Sequence, residues 1–392
     1  MFQKSLRGPR LRDCAKPVSV AFADRYYAAR DRLLESPSFQ RFSASFPLTR
    51  RVAHKNARAL FDICAGFVYS QVLAACVQLD LFKRLAAGPK TLKDLAGELD
   101  LPEFAVERLL LAACSLKLIM RRQHYRYGLG VLGAAFNGNP GIAAMVEHHA
   151  MLYRDLVDPI ALLRGGRGET ELAQFWSYAG AEQPSSLNAD RVERYSKLMT
   201  KSQSLIANDV LDSYSFGRHR LLLDVGGGEG SFIVAAAKRF RNLRFILFDL
   251  PPVTERARNR WRACGLLDRA TAVGGSFPSH PLPYGADLVT LVRVIHDHDD
   301  GNALHILRAV YKALPVNGMV LIAEPMAGAV NNEPVGDAYF GMYLWAVGQG
   351  RPRTPAQITG LLQRAGFLRV KARKTRRPML VSVITAQRLD SV

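Results

Sequence analysis

From Arg50 to about Leu132, apolar residues recur at three- and four-residue spacing: Leu81 and Leu85, then Leu92, Leu95 and Leu99, then Val106, Leu109 and Leu110. That period predicts a compact helical unit. Thr91 opens one short helix within it and Pro102 opens a second, because each is a residue type that suits a helix N-terminus. Tyr125, Tyr127 and Leu129 then alternate after Arg121-Arg122, which predicts a small β-wing and makes the unit winged-helix-like. A further helical layer, with Trp176 and Tyr195, is expected from about Gly141 to Asp212, with flexible links at Gly165-Gly-Arg-Gly and Gln183-Pro-Ser-Ser.

The texture changes after His219. Leu221 to Val225, Arg244 to Phe248, Asp287 to Val292 and Met319 to Ala323 are short apolar runs separated by helical patterns, the signature of a parallel sheet covered on both faces. A helix over Gln357 to Ala365, closed by Gly366, precedes strand-like Leu368 to Val370 and Met379 to Thr385, read as a final hairpin. The fold class is therefore α/β, with a Rossmann-like doubly wound domain behind a helical N-terminal domain. The expected divisions are a basic extension over 1–50, a winged-helix-like domain over 51–140, a helical connector over 141–215 and a ligand-binding domain over 216–392.

The sharpest chemical signal is Leu221-Leu-Leu-Asp-Val-Gly-Gly-Gly-Glu-Gly-Ser, an apolar strand running into a glycine turn and a helix. Glycines such as Gly226 and Gly228 let the backbone approach a ligand closely and leave helix N–H groups facing it. Asp224 precedes the turn, where a pyrophosphate would be repelled, and this disfavours a dinucleotide. Asp249 follows about twenty residues later, where a carboxylate can accept both ribose hydroxyls of an adenosine; its rival role is a cap before Pro251-Pro252. Ser276 and Phe277, after the third strand, offer a hydrogen bond and an apolar face to an adenine.

His296, in Arg293-Val-Ile-His-Asp-His-Asp-Asp after the fourth strand, is the general-base candidate, unless this segment serves only to cap the next helix. Glu324, ending the fifth strand before Pro325, is placed where a carboxylate could orient the imidazole. Met199, Met342, Tyr343 and Trp345 are candidate acceptor walls or plain core. His148-His149 lack partners at metal-ligand spacing and no metal site is indicated.

Composition adds three points. The chain has 392 residues, is 48% hydrophobic and carries a formal charge of +19, so disorder is excluded and an anionic partner is raised. Before residue 60 there are thirteen Lys/Arg against four Asp/Glu, and Arg369 to Arg377 forms a second basic cluster. Five scattered cysteines with no C-x-x-C spacing argue against a disulfide framework or a zinc site, and imply a reducing, cytoplasmic setting. No signal peptide is expected. The apolar run Phe61 to Leu79 is interrupted by Asp62, Ser70, Gln71 and Gln78, and is read as a buried or dimer-forming helix.

Asp-Val-Gly-Gly-Gly-Glu-Gly, Phe-Asp-Leu-Pro-Pro-Val, Gly-Gly-Ser-Phe, Ile-His-Asp-His-Asp-Asp and Arg-Pro-Arg-Thr occur in the order seen in the caffeate and hydroxyindole type of O-methyltransferases, which the chain resembles from about Arg58 to Gln387. The resemblance implies S-adenosyl-L-methionine as cofactor, a homodimer, His296 as base, and Glu324 as one of two acids bracketing it. It also implies Asp224, Gly226, Gly228, Asp249, Ser276 and Phe277 at the cofactor. At the second bracketing acid this chain has Pro352, which leaves Glu324, helped by Asp337, to orient the base.

Within the family the chain is similar to the carotenoid 1-hydroxy methyltransferases of purple photosynthetic bacteria. The residues behind this are Phe46-Pro-Leu-Thr-Arg, Leu60-Phe-Asp-Ile-Cys-Ala-Gly-Phe-Val-Tyr-Ser-Gln and Gly-Arg-Pro-Arg-Thr. This implies a hydrophobic small-molecule acceptor and peripheral membrane contact. Rival readings are a phenolic or polyketide acceptor, a nicotinamide oxidoreductase, and a winged-helix DNA-binding regulator. The last is disfavoured by Glu103 and Glu107 near the start of the second helix, where a reading helix approaches phosphates.

Overall fold

The computed structural model describes residues 20–165, 170–180, 203, 206–277, 279–328 and 334–390. Two compact units emerge, residues 1–72 and 73–392.

In the first unit, α1 (Val20–Glu35) turns directly into α2 (Pro37–Ser45), because Ser36 accepts a hydrogen bond from the Phe39 N–H and Pro37 needs no helical N–H partner at the first turn. The turn is tied by Gln40 Nε2 donating to Leu34 O at 2.8 Å, and the end of α2 by Thr49 Oγ1 donating to Ser43 O at 2.9 Å. α3 (Arg50–Gln78) then runs for 29 residues and crosses the division between units. Arg50, the expected end of the basic extension, is the first residue of this unbroken helix.

By length and composition α3 could cross a membrane, with a mean hydropathy of 1.7 over its most apolar window and only 11% of that window buried. The expectation of a buried helix is corrected here, since only Cys76 and Val77 are buried on it and Leu60, Phe61, Ile63 and Phe67 are exposed. Association with another surface remains as the reason for its apolar sequence.

The second unit begins with α4 (Leu81–Ala86), β1 (Lys90–Thr91), α5 (Leu92–Leu99), α6 (Glu103–Ser115), β2 (Ile119–Arg121) and β3 (Arg126–Leu129), the strands forming a sheet of order β1-β3-β2. A reciprocal capping box starts α5: the Asp94 N–H donates to Thr91 Oγ1 at 3.2 Å while the Thr91 N–H donates to Asp94 Oδ2. Four helices follow, α7 (Val131–Asn137), α8 (Pro140–Asp155), α9 (Pro159–Leu163) and α10 (Glu171–Gly180), then α11 (206–213).

The remaining chain alternates β4 (Leu221–Val225), α12 (Ser231–Arg239), β5 (Arg244–Asp249), α13 (Pro251–Ala263), β6 (Ala270–Gly274), β7 (Leu288–Val292), α14 (Asp300–Ala313), β8 (Met319–Glu324), α15 (Gly341–Val347), α16 (Pro355–Arg364), β9 (Leu368–Arg373) and β10 (Ser382–Gln387). Seven strands make one sheet in the order β6-β5-β4-β7-β8-β10-β9. β4 to β8 are parallel, and β10 enters antiparallel between β8 and β9, as the predicted hairpin requires.

Both faces are covered. Leu304, Leu307 and Val310 of α14 with Leu361 and Leu362 of α16 belong to one core, and Phe232, Ile233, Ala257 and Trp261 of α12 and α13 to the other. Sheet order reverses at β4, with β5 on one side and β7 on the other, so the loops leaving their C-terminal ends open a crevice there.

Replacing Thr91 with Ala is expected to lower stability by about 1 kcal/mol through loss of the α5 cap, while Thr91→Ser stays near the parent. Urea unfolding of the two variants checks this.

Candidate active site

The loop after β4 is held in a left-handed path by Gly226, Gly228 and Gly230, at φ +68°, +59° and +69°. Two of the neighbouring positions accept nothing larger than glycine: a Cβ on Gly227 would lie 2.2 Å from Asp224 Oδ2, and one on Gly230 2.5 Å from the Trp261 ring. Gly228 is different, with open space within 4 Å of where its Cβ would stand. Here the backbone is bare toward the crevice.

Asp224 is fully buried behind this turn. Its Oδ1 accepts from Thr290 Oγ1 at 2.6 Å, and its Oδ2 has no hydrogen-bond partner. Burial, with the nearby Asp249 charge, pushes its carboxyl up to about 7 despite the threonine bond. Asp224 Oδ2 lies against Gly227, 2.2 Å from where a Cβ on that residue would stand, so the acid and the glycine turn are packed directly together.

Asp249 ends β5 and stands across the crevice. Its Oδ2 accepts from the Gly228 N–H at 2.8 Å and its Oδ1 from the Leu250 N–H at 2.7 Å. Burial raises this carboxyl and the two N–H bonds oppose the rise. The Gly275 N–H donates to Asp249 O at 2.9 Å, which draws the loop after β6 against the same edge. Ser276 begins a tight turn there, accepting from the Ser279 and His280 N–H groups. The Phe277 ring tip is 3.5 Å from where a Gly226 Cβ would be, its ring centre 6.0 Å from both Phe248 and His298. Gly226, Gly228, Asp249, Ser276 and Phe277 therefore share one crevice.

The loop after β7 makes a single 3-10 turn over Ile295–Asp297, entered through Arg293 at φ +59°. His296 is 3% exposed. One ring nitrogen, Nε2, lies 3.4 Å from Asp297 Oδ1; the other has no partner. Burial holds the imidazole well below its ordinary value, and the charges of Arg293, Arg353 and His298 push the same way. A neutral ring with one free lone pair can accept a proton. Asp297 is itself pushed up to about 7 by burial.

Glu324 departs from expectation. Its Oε2 accepts from the backbone N–H of His296 at 3.1 Å, so it holds the turn that carries the ring and Asp297, not Glu324, is the acid beside the imidazole. Burial pushes Glu324 up to about 8. Asp337 is also elsewhere: it is exposed and accepts from the Gly328 N–H at 2.9 Å.

The chain matches known families over most of its length. Residues 153–368 match the O-methyltransferase domain family and residues 61–137 an O-methyltransferase dimerisation domain. The chain is 42% identical over 361 residues to the demethylspheroidene O-methyltransferase of Cereibacter sphaeroides, covering 91% of this chain and 94% of that one. It is 30% identical to the acetylserotonin O-methyltransferase of Mus musculus, covering 83% and 87%. The chain belongs to the S-adenosylmethionine-dependent O-methyltransferases. The structure of human N-acetylserotonin methyltransferase in complex with SAM has the same fold, with a TM-score of 0.71 at 24% identity over 86% of this chain and 98% of that one. These matches set aside the DNA-binding and nicotinamide readings, and the dimerisation domain supports a homodimer.

What this methyltransferase adds to the sequence reading is Arg353. Its side chain is fully buried and satisfied at every side: Nη1 donates to Ile295 O and Nη2 to His298 O, each at 2.7 Å, and Nε to Asp300 Oδ1 at 2.9 Å. The preceding Arg351 N–H donates to His296 O at 2.9 Å, and a Cβ on Gly350 would lie 2.2 Å from the same oxygen. The Gly-Arg-Pro-Arg-Thr segment thus clamps the His296 turn from outside. Its spacing was visible in the sequence; its contacts were not, because they join residues more than fifty positions apart.

Tyr339 and Phe340 end a π-helical turn over Pro334–Phe340 and Tyr343 lies on α15; the Phe340 ring is 6.2 Å from that of His296, centre to centre, and packs against Tyr339 and Tyr343. His148 and His149 of α8 pair with Tyr343 and Tyr339, Nε2 to hydroxyl, each at 2.7 Å. Burial lowers His148 to about 4, lowers His149 as well, and raises Tyr339 to about 12. Trp345 is packed in a satellite core with its indole N–H donating to Leu162 O at 3.2 Å, and Met342 is half-buried on α15. Met199 lies outside the described residues.

Replacing Arg353 with Met leaves the Ile295 and His298 carbonyls unpaired, at about 1–3 kcal/mol of stability for a buried group. Arg353 acts through His296 as a positioning residue, and removing its charge raises the histidine. The acid limb of the kcat–pH profile is expected to move to higher pH, and Arg353→Lys, which keeps the charge, to move it less.

Proposed function

We propose that the enzyme transfers a methyl group to the 1-hydroxyl of an acyclic carotenoid, with His296 as general base. The observation that carries the acceptor is the 42% identity, over nearly the whole chain, to a protein named for demethylspheroidene methylation. When bound, S-adenosylmethionine supplies a methyl group already activated on its sulfonium. The residues here fit that cofactor: bare backbone at Gly228, a carboxylate at Asp249 for the ribose hydroxyls, Ser276 and Phe277 for the adenine, and an unpartnered Asp224 oxygen behind the turn.

The protein's own task is alignment, water exclusion and proton removal. An aliphatic hydroxyl is far less acidic than imidazolium, so His296 takes its proton as the new C–O bond forms, through the ring nitrogen turned away from Asp297. Asp297 then faces the imidazolium that results, and Glu324 keeps the turn in place. The carboxylate that orients the ring is thus supplied by the adjacent residue, with Pro352 at the place where relatives of the caffeate type carry an acid.

A phenolic acceptor is the second reading, supported by the 30% identity to acetylserotonin enzymes. Such an acceptor is more acidic and demands less of the base. An acyclic carotenoid dissolves in bilayers, so on the first reading the enzyme works in the cytoplasm at a membrane surface, drawn there by a basic N-terminal region worth about 1 kcal/mol per Lys or Arg near anionic lipid.

Incubation with labelled methyl donor and a panel of hydroxycarotenoids, flavonoids and phenolic acids tests the acceptor; labelling of phenolic compounds alone would overturn the carotenoid reading. His296→Ala is expected to lower turnover by about 10²–10⁴ while S-adenosylhomocysteine binds as before. The free histidine is neutral down to well below pH 6.5, so its ring resonances, followed by NMR, should show no protonation of the ring between pH 8 and 6.5, a window in which Asp297, at about 7, does titrate. Protonation of the ring at or above pH 6.5 would contradict the buried, neutral base.

A further inference from the structure

α1 lies ahead of both matched domains, the first of which begins at residue 61. At about 100° per residue, its 16 positions sort into three arcs. Phe22, Tyr26 and Leu33 form one row, widened by Tyr27 and Leu34; all five are exposed, by 50–67%. Asp24, Asp31 and Glu35 fall together on the opposite side. Arg25 and Arg32 run along one border of the apolar arc, and Arg30 stands within it, its guanidinium 4.8 Å above the Tyr27 ring.

The helix is neutral overall, so the sorting of its charges, not their sum, is what needs a cause. A solvated helix has no reason to gather every acid on one arc and to edge an exposed aromatic face with arginine. A two-fold contact through this face with the helices antiparallel would set the Arg25–Arg32 border against the same border of the copy, like charge on like. A bilayer fits both features. Aromatic and leucine side chains enter the boundary between headgroups and acyl chains, arginines reach lipid phosphates, and carboxylates face water. Sixteen residues with six charges cannot span a membrane, so the helix lies in its plane.

The chain that follows continues the pattern. Phe42 and Phe46 stack at 5.2 Å and are exposed, as is Leu48, and residues 36–60 hold five basic side chains and no acid.

We propose that the apolar-arginine face of α1 is the surface by which the enzyme docks on an anionic lipid bilayer. This deepens the membrane part of the reading above and is independent of which acceptor is methylated. The test uses the full-length enzyme and acceptor-free vesicles, of phosphatidylcholine alone or with one-third phosphatidylglycerol, followed by co-sedimentation, with molar mass measured by light scattering.

Phe22→Ser/Tyr26→Ser/Leu33→Ser is expected to reduce partition onto the anionic vesicles at least about tenfold, without change in molar mass. Arg25→Gln/Arg32→Gln should reduce it about fivefold per arginine and weaken its salt dependence, while Asp24→Asn/Asp31→Asn leaves it unreduced. Equal partition by parent and triple variant would overturn the proposal. So would a variant that lost mass instead of lipid binding, which would assign the face to a second copy of the chain. Because no acceptor is present, failure here is distinct from failure of the carotenoid reading.

Discussion

The catalytic edge depends on one buried guanidinium. Arg353 has no contact with solvent, so each of its donors must be matched, and the matches come from the two carbonyls bracketing the His296 turn and from Asp300 at the start of α14. An unpaired charge in that position would be strongly destabilising. Satisfying it therefore requires the loop after β7 and the segment before α16 to stay in register, and that register carries the imidazole. A short 3-10 turn on a sheet edge would otherwise be among the softer parts of the domain.

Burial sets the electrostatics of the same edge. His296 is kept neutral by its lack of solvent and by the charges of Arg293 and Arg353, while Asp224, Asp297 and Glu324 are raised by burial into or above the neutral range. The His148–Tyr343 and His149–Tyr339 pairs tie α8 to the Tyr339–Tyr343 segment by hydrogen bonds.

The roles of two carboxylates illustrate why spacing along a strand is an incomplete guide. Asp224 and Glu324 both sit at C-terminal strand ends, where the sequence reading placed them beside ligand and base. A strand end, however, can turn its side chain to the crevice or beneath it. Asp224 is fixed by the Thr290 hydroxyl on the neighbouring strand and packs against Gly227, which has no side chain to displace it. Glu324 is drawn to the main-chain N–H of His296, a donor that no side-chain pattern announces.

The sequence alone determined the architecture, since the periods of apolar residues decide helix or strand and a run buried on both faces must be covered on both. It also marked the glycine turn, Asp249, Phe277 and His296, which are short-range features of one loop each. Tertiary structure decided the rest: the acid that stands beside the base, the arginine that clamps it, the histidine–tyrosine pairs across 190 or more residues, and the exposure of α3. Those are contacts between distant segments, chosen by which donors and acceptors packing strands away from water, and a linear pattern of residue types carries no record of that choice.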